Sequence, residues 1–213
     1  VVATYGVSYS ESGMIKLLHR LGFVYKQTVQ VPRHPEPEGQ QAFVAQITEK
    51  VESLAEDEGL YFLDGVHPQH NTHPDRGWIL KGQQMEIPAN TGRKRVNVHG
   101  LMNGEEPSDV CALICDRVNT QSTIELFQEL IRRNPEKAYF YVVCDNARYH
   151  HSKLLKEWLK DQPIELIYLP PYAPNLTLID RLWKFMKKKI ITSSYYATYQ
   201  KFRTAILAFF TTI

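Results

Sequence analysis

Residues 138–170 read AYFYVVCDNARYHHSKLLKEWLKDQPIELIYLP, and this stretch decides the fold. Apolar and aromatic runs at 138–146 and 164–170 predict two strands, while the segment 152–161 between them has the residue spacing of a helix. Similar helical patterns occur at 123–134, 178–190 and 199–210. Strands that alternate with helices in this way predict a sheet with helices on its faces.

Upstream of this alternation the pattern is that of short strands. Three β-branched or aromatic runs divided by turn residues, as in an antiparallel meander, lie at 60–67, 77–83 and 94–103. The run at 110–118 is interpreted as a further strand or an extension of the sheet. A block of strands followed by strand–helix alternation predicts an α/β fold with a mixed sheet flanked by helices.

The segment before these strands reads differently. A helix is predicted to begin at Ser10 or Ser12 and to stop at Gly22, and it is too short to form a domain, so it is interpreted as the end of a larger module. The proline-rich run RHPEPEGQ at 33–40 predicts a linker. A solvated helix of about 17 residues is predicted to follow and to end at Gly59.

Composition and charge exclude several classes of protein. The cysteines, Cys111, Cys115 and Cys144, are an odd number without a second ligand pair, so neither a disulfide framework nor a zinc site is indicated. No apolar run reaches the roughly 18 residues of a membrane span, and no signal peptide is evident, which favours a reducing cytoplasm. The net charge of +2 permits nucleic acid as a partner without requiring it.

Three aspartates occupy positions of chemical interest. Asp64 and Asp145 each end a predicted apolar strand, where a carboxylate can face a cleft and bind a cation, although each is equally consistent with the start of a turn. Asp180 lies three residues after Thr177, in the pattern of a capping box at a helix start. A capping position is compatible with metal binding, because a carboxylate near a helix N-terminus is kept ionised.

The blocks FLDGVH, WILKGQ, VVCDNARYHHSKLLKEWL and IELIYLPPYAPNLTLIDRLWKFMKKK resemble, in that order, the catalytic core of the bacterial IS630 transposases within the Tc1/mariner superfamily of DDE/DDD recombinases. The resemblance covers residues 60–190, and 34 residues separate Asp145 from Asp180, as in that family. The segment YGVSYSESGMIKLLHRLGFVYK also resembles the end of the family's helix-turn-helix DNA-binding region.

This resemblance implies an RNase H-like (retroviral-integrase-like) fold, a five-stranded mixed sheet flanked by helices, with a short helical N-terminal remnant. The first acid is expected on the first strand, the second after the fourth strand, and the third on a later helix. The implied domains are the C-terminal part of a helix-turn-helix DNA-binding module (1–32), a linker and connecting helix (33–58), and an RNase H-like DDE/DDD catalytic domain (59–213).

By the same resemblance, Asp64, Asp145 and Asp180 are the catalytic and metal-binding acids, with Asp64 bridging two Mg²⁺ ions and each of the others holding one. Two ions about 3.5–4 Å apart activate the attacking oxygen and stabilise the leaving oxygen of an in-line phosphodiester displacement. Carboxylate oxygens suit Mg²⁺, for which Mn²⁺ can substitute.

The sequence departs from the family at Asp180, because IS630 proteins usually carry Glu there, in a pattern like LNLIERLW. Aspartate reaches about 1.5 Å less far, one carbon–carbon bond length. A misplacement of about 1 Å can cost on the order of a hundredfold in rate. The mariner branch of the superfamily uses Asp at this position, so we expect a competent metal site.

Residues around the acids are candidates for contact with DNA. The set is Trp78, Lys81, Arg93, Lys94, Arg95, Asn146, Arg148, His150, Lys184, Lys187 and Lys188. Lys184 and Lys187 follow Asp180 on one helix face, where they can hold a DNA backbone or simply be solvated. A cap or surface role is the alternative for His150, and packing against the fold is the alternative for Trp78.

The other aromatic and histidine residues have simpler interpretations. Trp158 and Trp183 lie in apolar patterns that predict core packing. His67, His70 and His73 lie in a turn-rich segment, without a rigid helix to bring them together, which favours a solvated loop or DNA contact over a zinc site.

The resemblance predicts a DNA transposase that hydrolyses phosphodiester bonds at transposon ends and joins the freed 3′-hydroxyl to target DNA, and it implies that the target is a TA site. The implied partners are double-stranded DNA and a second copy of the chain in a homodimer, with no membrane. The implied location is the bacterial cytoplasm, in association with the nucleoid. Two alternatives stay open: an RNase H-like nuclease without strand joining, and a decayed or domesticated DNA-binding protein without catalysis.

Overall fold

The N-terminal helix begins after a serine that caps it and ends before a glycine in a left-handed conformation. In the computed structural model, which describes residues 4, 6–25, 37–76, 78–90, 92, 94–171 and 176–213, helix α1 spans Glu11–Arg20. The Ser10 hydroxyl accepts a hydrogen bond from the Gly13 N–H at 3.2 Å, and Gly22 adopts a φ of +85°, a conformation that favours glycine. The predicted helix is confirmed. It lies in a compact unit, Val1–Arg33, that is separate from His34–Ile213.

The second unit contains five strands and five further helices among its described residues. In chain order these are α2 (Pro37–Glu52), β1 (Glu58–Val66), β2 (Asn97–Asn103), β3 (Val110–Cys115), α3 (Thr120–Arg133), β4 (Tyr139–Cys144), a 3₁₀ turn (Arg148–His151), α4 (Lys153–Leu159), β5 (Ile164–Tyr168), α5 (Ile179–Ile190) and α6 (Tyr199–Phe210). None of the helices among the described residues is both long and apolar enough to cross a membrane.

The strands form one mixed sheet in the order β3-β2-β1-β4-β5. The first three strands are antiparallel neighbours, and β4 and β5 are added in parallel to β1. The meander supplies the antiparallel part, and the strand–helix alternation supplies the parallel part. The predicted five-stranded mixed sheet flanked by helices is therefore confirmed.

Both faces of the sheet are covered, because alternate side chains of each central strand point to opposite layers. Along β1, Leu60 and Phe62 belong to the apolar cluster that includes side chains of α5 and α6. Tyr61 and Leu63 belong to the cluster formed with α3 and α4. Asp64 continues the first series, so its side chain lies on the face covered by α5.

Two predicted element boundaries are wrong. The run 77–83 was expected to be a strand, but its described residues form no strand, and Trp78 and Leu80 are exposed. The helix expected to end at Gly59 ends at Glu52 instead, and Gly59 lies inside β1. The residues before Gly59 pair with the sheet and do not extend the helix, because the backbone oxygen of Asp57 accepts a hydrogen bond from the Ala138 N–H, next to β4.

Candidate active site

The sheet brings the first two acids to one edge. Strands β1 and β4 are parallel neighbours in which Phe62 pairs with Val143, and Asp64 and Asp145 each follow that pair by two residues. The carboxyl ends of neighbouring parallel strands open on the same side of a sheet. The third acid, Asp180, is the second residue of α5, which packs against β1. The expected order of the acids along strands and helix is therefore present.

Asp64 is a partly buried carboxyl group with a perturbed pKa. Burial raises its pKa above the ordinary value, and the negative charges of Asp180 and Asp145 raise it further. The Gly65 N–H and the Trp183 indole oppose this rise by hydrogen bonding, and the indole Nε1 donates to Asp64 Oδ2 at 2.9 Å. The negative charges of Asp180 and Asp145 therefore both act on the Asp64 carboxyl group, an effect that a bound cation would relieve.

Asp145 has the opposite perturbation. A hydrogen bond from His150 lowers the pKa of this carboxyl group, and a bond from the Ala147 N–H adds to the effect against a smaller cost of burial. The His150 Nδ1 lies 3.1 Å from both the backbone oxygen and the Oδ1 atom of Asp145, and the Ala147 N–H donates to Oδ1 at 3.0 Å. The Asp145 side chain is 55% exposed, so an ionised carboxylate is presented to solvent from a buried support.

That support is a layer of aromatic and imidazole rings on the α3 and α4 face. His99 and His150 are buried, and the ring of Tyr149 meets both of them edge-on at centroid distances of 6.4 and 4.3 Å. Burial, together with the neighbouring His150, lowers the pKa of His99 to about 3, so His99 is neutral at physiological pH. The Nε2 atoms of both histidines have no hydrogen-bond partner among the described residues.

The predicted capping box at the start of α5 is wrong. The helix begins at Ile179, and the preceding residue, Leu178, has helical backbone angles and no side-chain cap. Because the helix starts one residue later than the pattern indicated, the Thr177 hydroxyl lies outside the cap position. Its Oγ1 is buried without a hydrogen-bond partner in the part of the chain that the structure describes. Asp180 still lies in the first helical turn, where the helix dipole favours a negative charge.

The chemistry of the three acids fits a divalent cation. Carboxylate oxygens are the ligands that Mg²⁺ and Mn²⁺ accept, and the negative charges of Asp180 and Asp145 both raise the pKa of Asp64. Within the described ranges, however, no three His, Cys, Asp or Glu side chains are already drawn together at ion-binding distance. The residues therefore fit the ion in donor type and charge, while a closed set of ligands is not preformed.

The candidate DNA-contact residues come from three parts of the second unit. Lys184, Lys187 and Lys188 are exposed on α5, and Arg148 is exposed beside Asp145. Trp78, Lys81, Lys94 and Arg95 are exposed in or next to the segment between β1 and β2, and Arg93 lies outside the described residues. Asn146 is exposed, but its amide nitrogen is already bound to the backbone oxygen of Leu169 at 2.6 Å.

Two histidine interpretations are corrected. His150 is only 1% exposed, so its ring is directed at Asp145 and is not a surface for DNA. His70 is also buried, because its ring stacks on Phe202 at 5.3 Å and its Nε2 lies 2.7 Å from the backbone oxygen of Tyr196. The segment around His70 is therefore packed against the C-terminal part of the chain and is not simply a solvated loop. His67 is exposed and lies 2.9 Å from Asn97 Oδ1.

Trp183 is buried in the apolar cluster, which confirms its predicted core packing, but its hydrogen bond to Asp64 was not predicted. The buried support from His150 was also missed. Trp183 follows Asp180 by one helical turn and His150 follows Asp145 by five residues, but neither spacing indicates these contacts. Trp158 is partly buried and stacks on Phe127 at 6.2 Å, in agreement with its predicted packing role.

Comparison with known families defines the class of this chain. The family model described as DDE superfamily endonuclease matches residues 59–203, and the model described as winged helix-turn helix matches residues 1–47. Since the first match covers more than half of the sequence, the chain belongs to the DDE superfamily endonucleases. The prediction of a DDE-type enzyme family is thus confirmed.

The relatives make the relation more specific. The insertion element IS630 uncharacterized 39 kDa protein of Shigella sonnei is 22% identical over 173 residues, which represent 79% of this chain and 49% of that protein. The predicted resemblance to IS630 proteins is confirmed by this match together with the family match. The chain spans about half the length of the curated relative.

Several solved structures that resemble this chain are those of the Mos1 mariner transposase. A Mos1 transposase paired-end complex with the left transposon end has a TM-score of 0.70 at 18% identity and covers 96% of this chain and 64% of that one. A pre-cleavage Mos1 transpososome has a TM-score of 0.72 at 16% identity, with the same coverage. The catalytic domain of Mos1 mariner transposase has a TM-score of 0.59 at 16% identity and covers 86% of each chain. At this level of identity the likeness concerns the fold, and the predicted RNase H-like fold is confirmed.

Proposed function

We propose that this chain is the catalytic part of a DNA transposase, which hydrolyses phosphodiester bonds at transposon ends and joins the freed 3′-hydroxyl to target DNA, at TA sites. The observation that carries the proposal is the parallel pairing of β1 with β4, which brings Asp64 and Asp145 to one edge of the sheet, together with the packing against β1 of α5, which carries Asp180. Membership of the DDE superfamily endonucleases supports the hydrolytic step. The similarity to Mos1 complexes with transposon ends supports DNA as the substrate.

Asp64, Asp145 and Asp180 would hold the metal, with Mg²⁺ as the natural ion, Mn²⁺ as a substitute, and two ions per site. Two of the similar Mos1 structures are described as complexes with Mn and with Mg. A bound pair of such ions supplies charge stabilisation to the attacking and leaving oxygens of an in-line displacement. No covalent bond between protein and DNA is required, because water and then a DNA hydroxyl are the nucleophiles.

The residues of this chain orient the reacting groups. His150 holds the Asp145 carboxylate in its ionised form, and Trp183 contacts Asp64 from the opposite layer of the sheet. The exposed amines of Lys184 and Lys187, on α5 after Asp180, bind the DNA backbone through its phosphates. Arg148 acts in the same way beside the second acid, and Lys188, Lys81, Lys94, Arg95 and Trp78 extend this surface.

The proposed partners and organisation follow from the same function. The chain binds double-stranded DNA at transposon ends and targets, works as a homodimer that bridges two ends, and acts in the bacterial cytoplasm at the nucleoid. The proposed division is the end of a helix-turn-helix module (1–32), a linker and connecting helix (33–58), and the catalytic domain (59–213). The match of the winged helix-turn helix model to residues 1–47 supports a DNA-binding role for the N-terminal region.

The test is strand joining in vitro. A labelled duplex carrying the inverted repeat that flanks the gene is incubated with a supercoiled plasmid, the chain and Mn²⁺, with Asp145→Asn as the inactive control. We expect cleavage next to the repeat and labelled plasmid in which the joined strands lie at TA. Metal-dependent cleavage without labelled plasmid would instead identify a nuclease.

A non-catalytic DNA-binding protein is the second candidate, and two observations favour it. Asp180 replaces the glutamate usual in IS630 proteins, and the carboxyl groups are not preassembled around an ion position in the described part of the chain. Calorimetric titration with Mn²⁺ in the presence of the duplex, compared with Asp64→Asn, separates the two candidates. Identical heats for both proteins would support the non-catalytic candidate and contradict the transposase proposal.

A further inference from the structure

Helix α5 carries two groups that concern the site, one turn apart on the same face. Asp180 is in the first turn, and Trp183 follows it by three residues. The Trp183 side chain is only 3% exposed, and its indole Nε1–H donates to Asp64 Oδ2 at 2.9 Å across a sequence separation of 119 residues. The helix that carries the third acid is therefore bonded directly to the first acid.

A glycine on the neighbouring strand β2 leaves the space that the Trp183 indole needs for this hydrogen bond. Gly100 on β2 is the residue paired with Asp64 on β1. A Cβ atom at Gly100 would lie 2.6 Å from Cη2 and 3.1 Å from Cζ2 of Trp183, and 3.6 Å from Cδ1 of Ile179. The indole therefore occupies the space that any other side chain at position 100 would fill. Only glycine allows α5 to lie this close to the carboxylate.

The indole has little freedom in this position. Its ring packs edge-on against Phe210 of α6 at 6.2 Å, and its single N–H can only donate. A donor directed at Asp64 favours the ionised carboxylate and opposes the effect of burial on its pKa. Core packing alone would be served by a phenylalanine, which has no N–H.

We propose that Trp183 is a positioning residue, which fixes the orientation of the Asp64 carboxylate relative to Asp180 and so prepares these two acids to share a divalent cation. This inference rests on the proposed function, because it assigns the metal to the same acids. It adds a buried residue that acts through Asp64. Residues that orient metal ligands by hydrogen bonding typically change metal affinity by about 10–100-fold when they are replaced.

The test uses two substitutions of tryptophan by phenylalanine in the whole chain. Trp183→Phe removes the donor and keeps an aromatic ring in the core. Trp158→Phe is the matched control, because Trp158 packs against Phe127 on the opposite face of the sheet. Mn²⁺ binding is measured by calorimetry for the natural chain and both variants, and circular dichroism and thermal unfolding confirm that each variant is folded.

We expect Trp183→Phe to weaken Mn²⁺ binding by about 10–100-fold and Trp158→Phe to leave it within twofold. Equal Mn²⁺ affinity in the natural chain and in folded Trp183→Phe would overturn the inference and leave the proposed function intact. If the natural chain binds no Mn²⁺, the proposed function fails, and the positioning of Asp64 for a cation fails with it.

A second measurement keeps the contact testable when a variant is unstable. The indole N–H resonance of Trp183 is observed by ¹H–¹⁵N NMR in the metal-free natural chain, in Asp64→Asn and in Asp145→Asn. We expect a large shift of this resonance in Asp64→Asn, because the acceptor loses its charge, and little change in Asp145→Asn. A resonance that is unaffected by Asp64→Asn would overturn the inference, whatever the result of the Mn²⁺ titration.

Discussion

Gly100→Ala is the most direct test of how α5 is docked on the sheet. The added methyl group would lie 2.6 Å from Trp183 Cη2, whereas ordinary contacts of a Cβ atom begin at 3.4 Å, so the indole must retreat by about 0.8 Å. If the indole nitrogen moves away by the same distance, the 2.9 Å hydrogen bond to Asp64 lengthens to about 3.7 Å, beyond the limit of such bonds. The acid that the indole orients then loses its support.

The expected loss of stability follows from overpacking. Forcing a methyl group into a packed core lowers the free energy of unfolding by about 1–3 kcal/mol. Alanine also reduces the conformational entropy of the unfolded chain, which offsets about 0.4–1 kcal/mol of this loss. For a chain of this size each kcal/mol corresponds to roughly 2–4 °C in Tm. If α5 moves with its indole by nearly 1 Å, DNA cleavage falls by on the order of a hundredfold. Thermal unfolding and the end-cleavage assay measure the two effects on the same preparation.

Gly104→Ala provides the matched control. Gly104 follows β2 at the end away from the acids, and a Cβ there would lie 3.1 Å from Phe62 Cε2 and 3.3 Å from the backbone oxygen of Leu60. This variant should lose stability without a comparable loss of cleavage. If Gly100→Ala retains full cleavage and the natural indole NMR shift, the close docking of α5 has no role in the site and the reasoning is refuted.

The remaining predictions concern the acids. Asp64→Asn should unfold at higher urea concentration than the natural chain at pH 7 in EDTA. The folded-state pKa of Asp64 is raised above 3.8, so the stability contributed by this group is present below that pH and is lost as pH rises through the folded pKa. The advantage should disappear near pH 3.5, and equal urea midpoints at both pH values would contradict the predicted pKa. His150→Ala should lower the free energy of unfolding by about 1–3 kcal/mol. It should also move the pKa of Asp145 up toward its ordinary value, as an NMR titration of that carboxyl group measures. An unmoved pKa would show that His150 does not hold this acid. Asp180→Glu should lower end cleavage, because α5 already lies close to β1 and the added methylene extends the carboxyl group by about 1.5 Å. A gain in cleavage would instead mark the natural chain as attenuated.

The elements of this fold that the sequence predicts are those that depend on the pattern of residues within a short segment. The continuous apolar run of β1, which is buried from Gly59 to Leu63, and the apolar spacing of α3 are properties of short segments, and those elements appear close to where they were expected. The positions of Asp64 and Asp145 were predictable for the same reason, since each follows a run of apolar strand residues.

The unpredicted features depend on distant partners. The run 77–83 has strand-forming residues, yet its described residues pair with no strand, and the end of α2 is decided where β4 binds the backbone at Asp57. The contact between Trp183 and Asp64 joins residues 119 positions apart, so no local pattern reports it. The burial of His150 likewise depends on packing across the sheet and not on its own neighbours in sequence.

Helix α5 also has a consequence for the energetics of ligand binding. It carries Asp180, the Trp183 donor to Asp64, and exposed amines at Lys184 and Lys187, so one rigid element belongs to both the proposed metal site and the proposed DNA surface. Two ligands that bind through one element are thermodynamically linked, and the coupling free energy is the same from either side. DNA that binds to α5 and fixes its position should therefore increase the affinity for Mn²⁺. By linkage, Mn²⁺ should increase the affinity for DNA by the same factor, and titrations carried out in either order measure that factor.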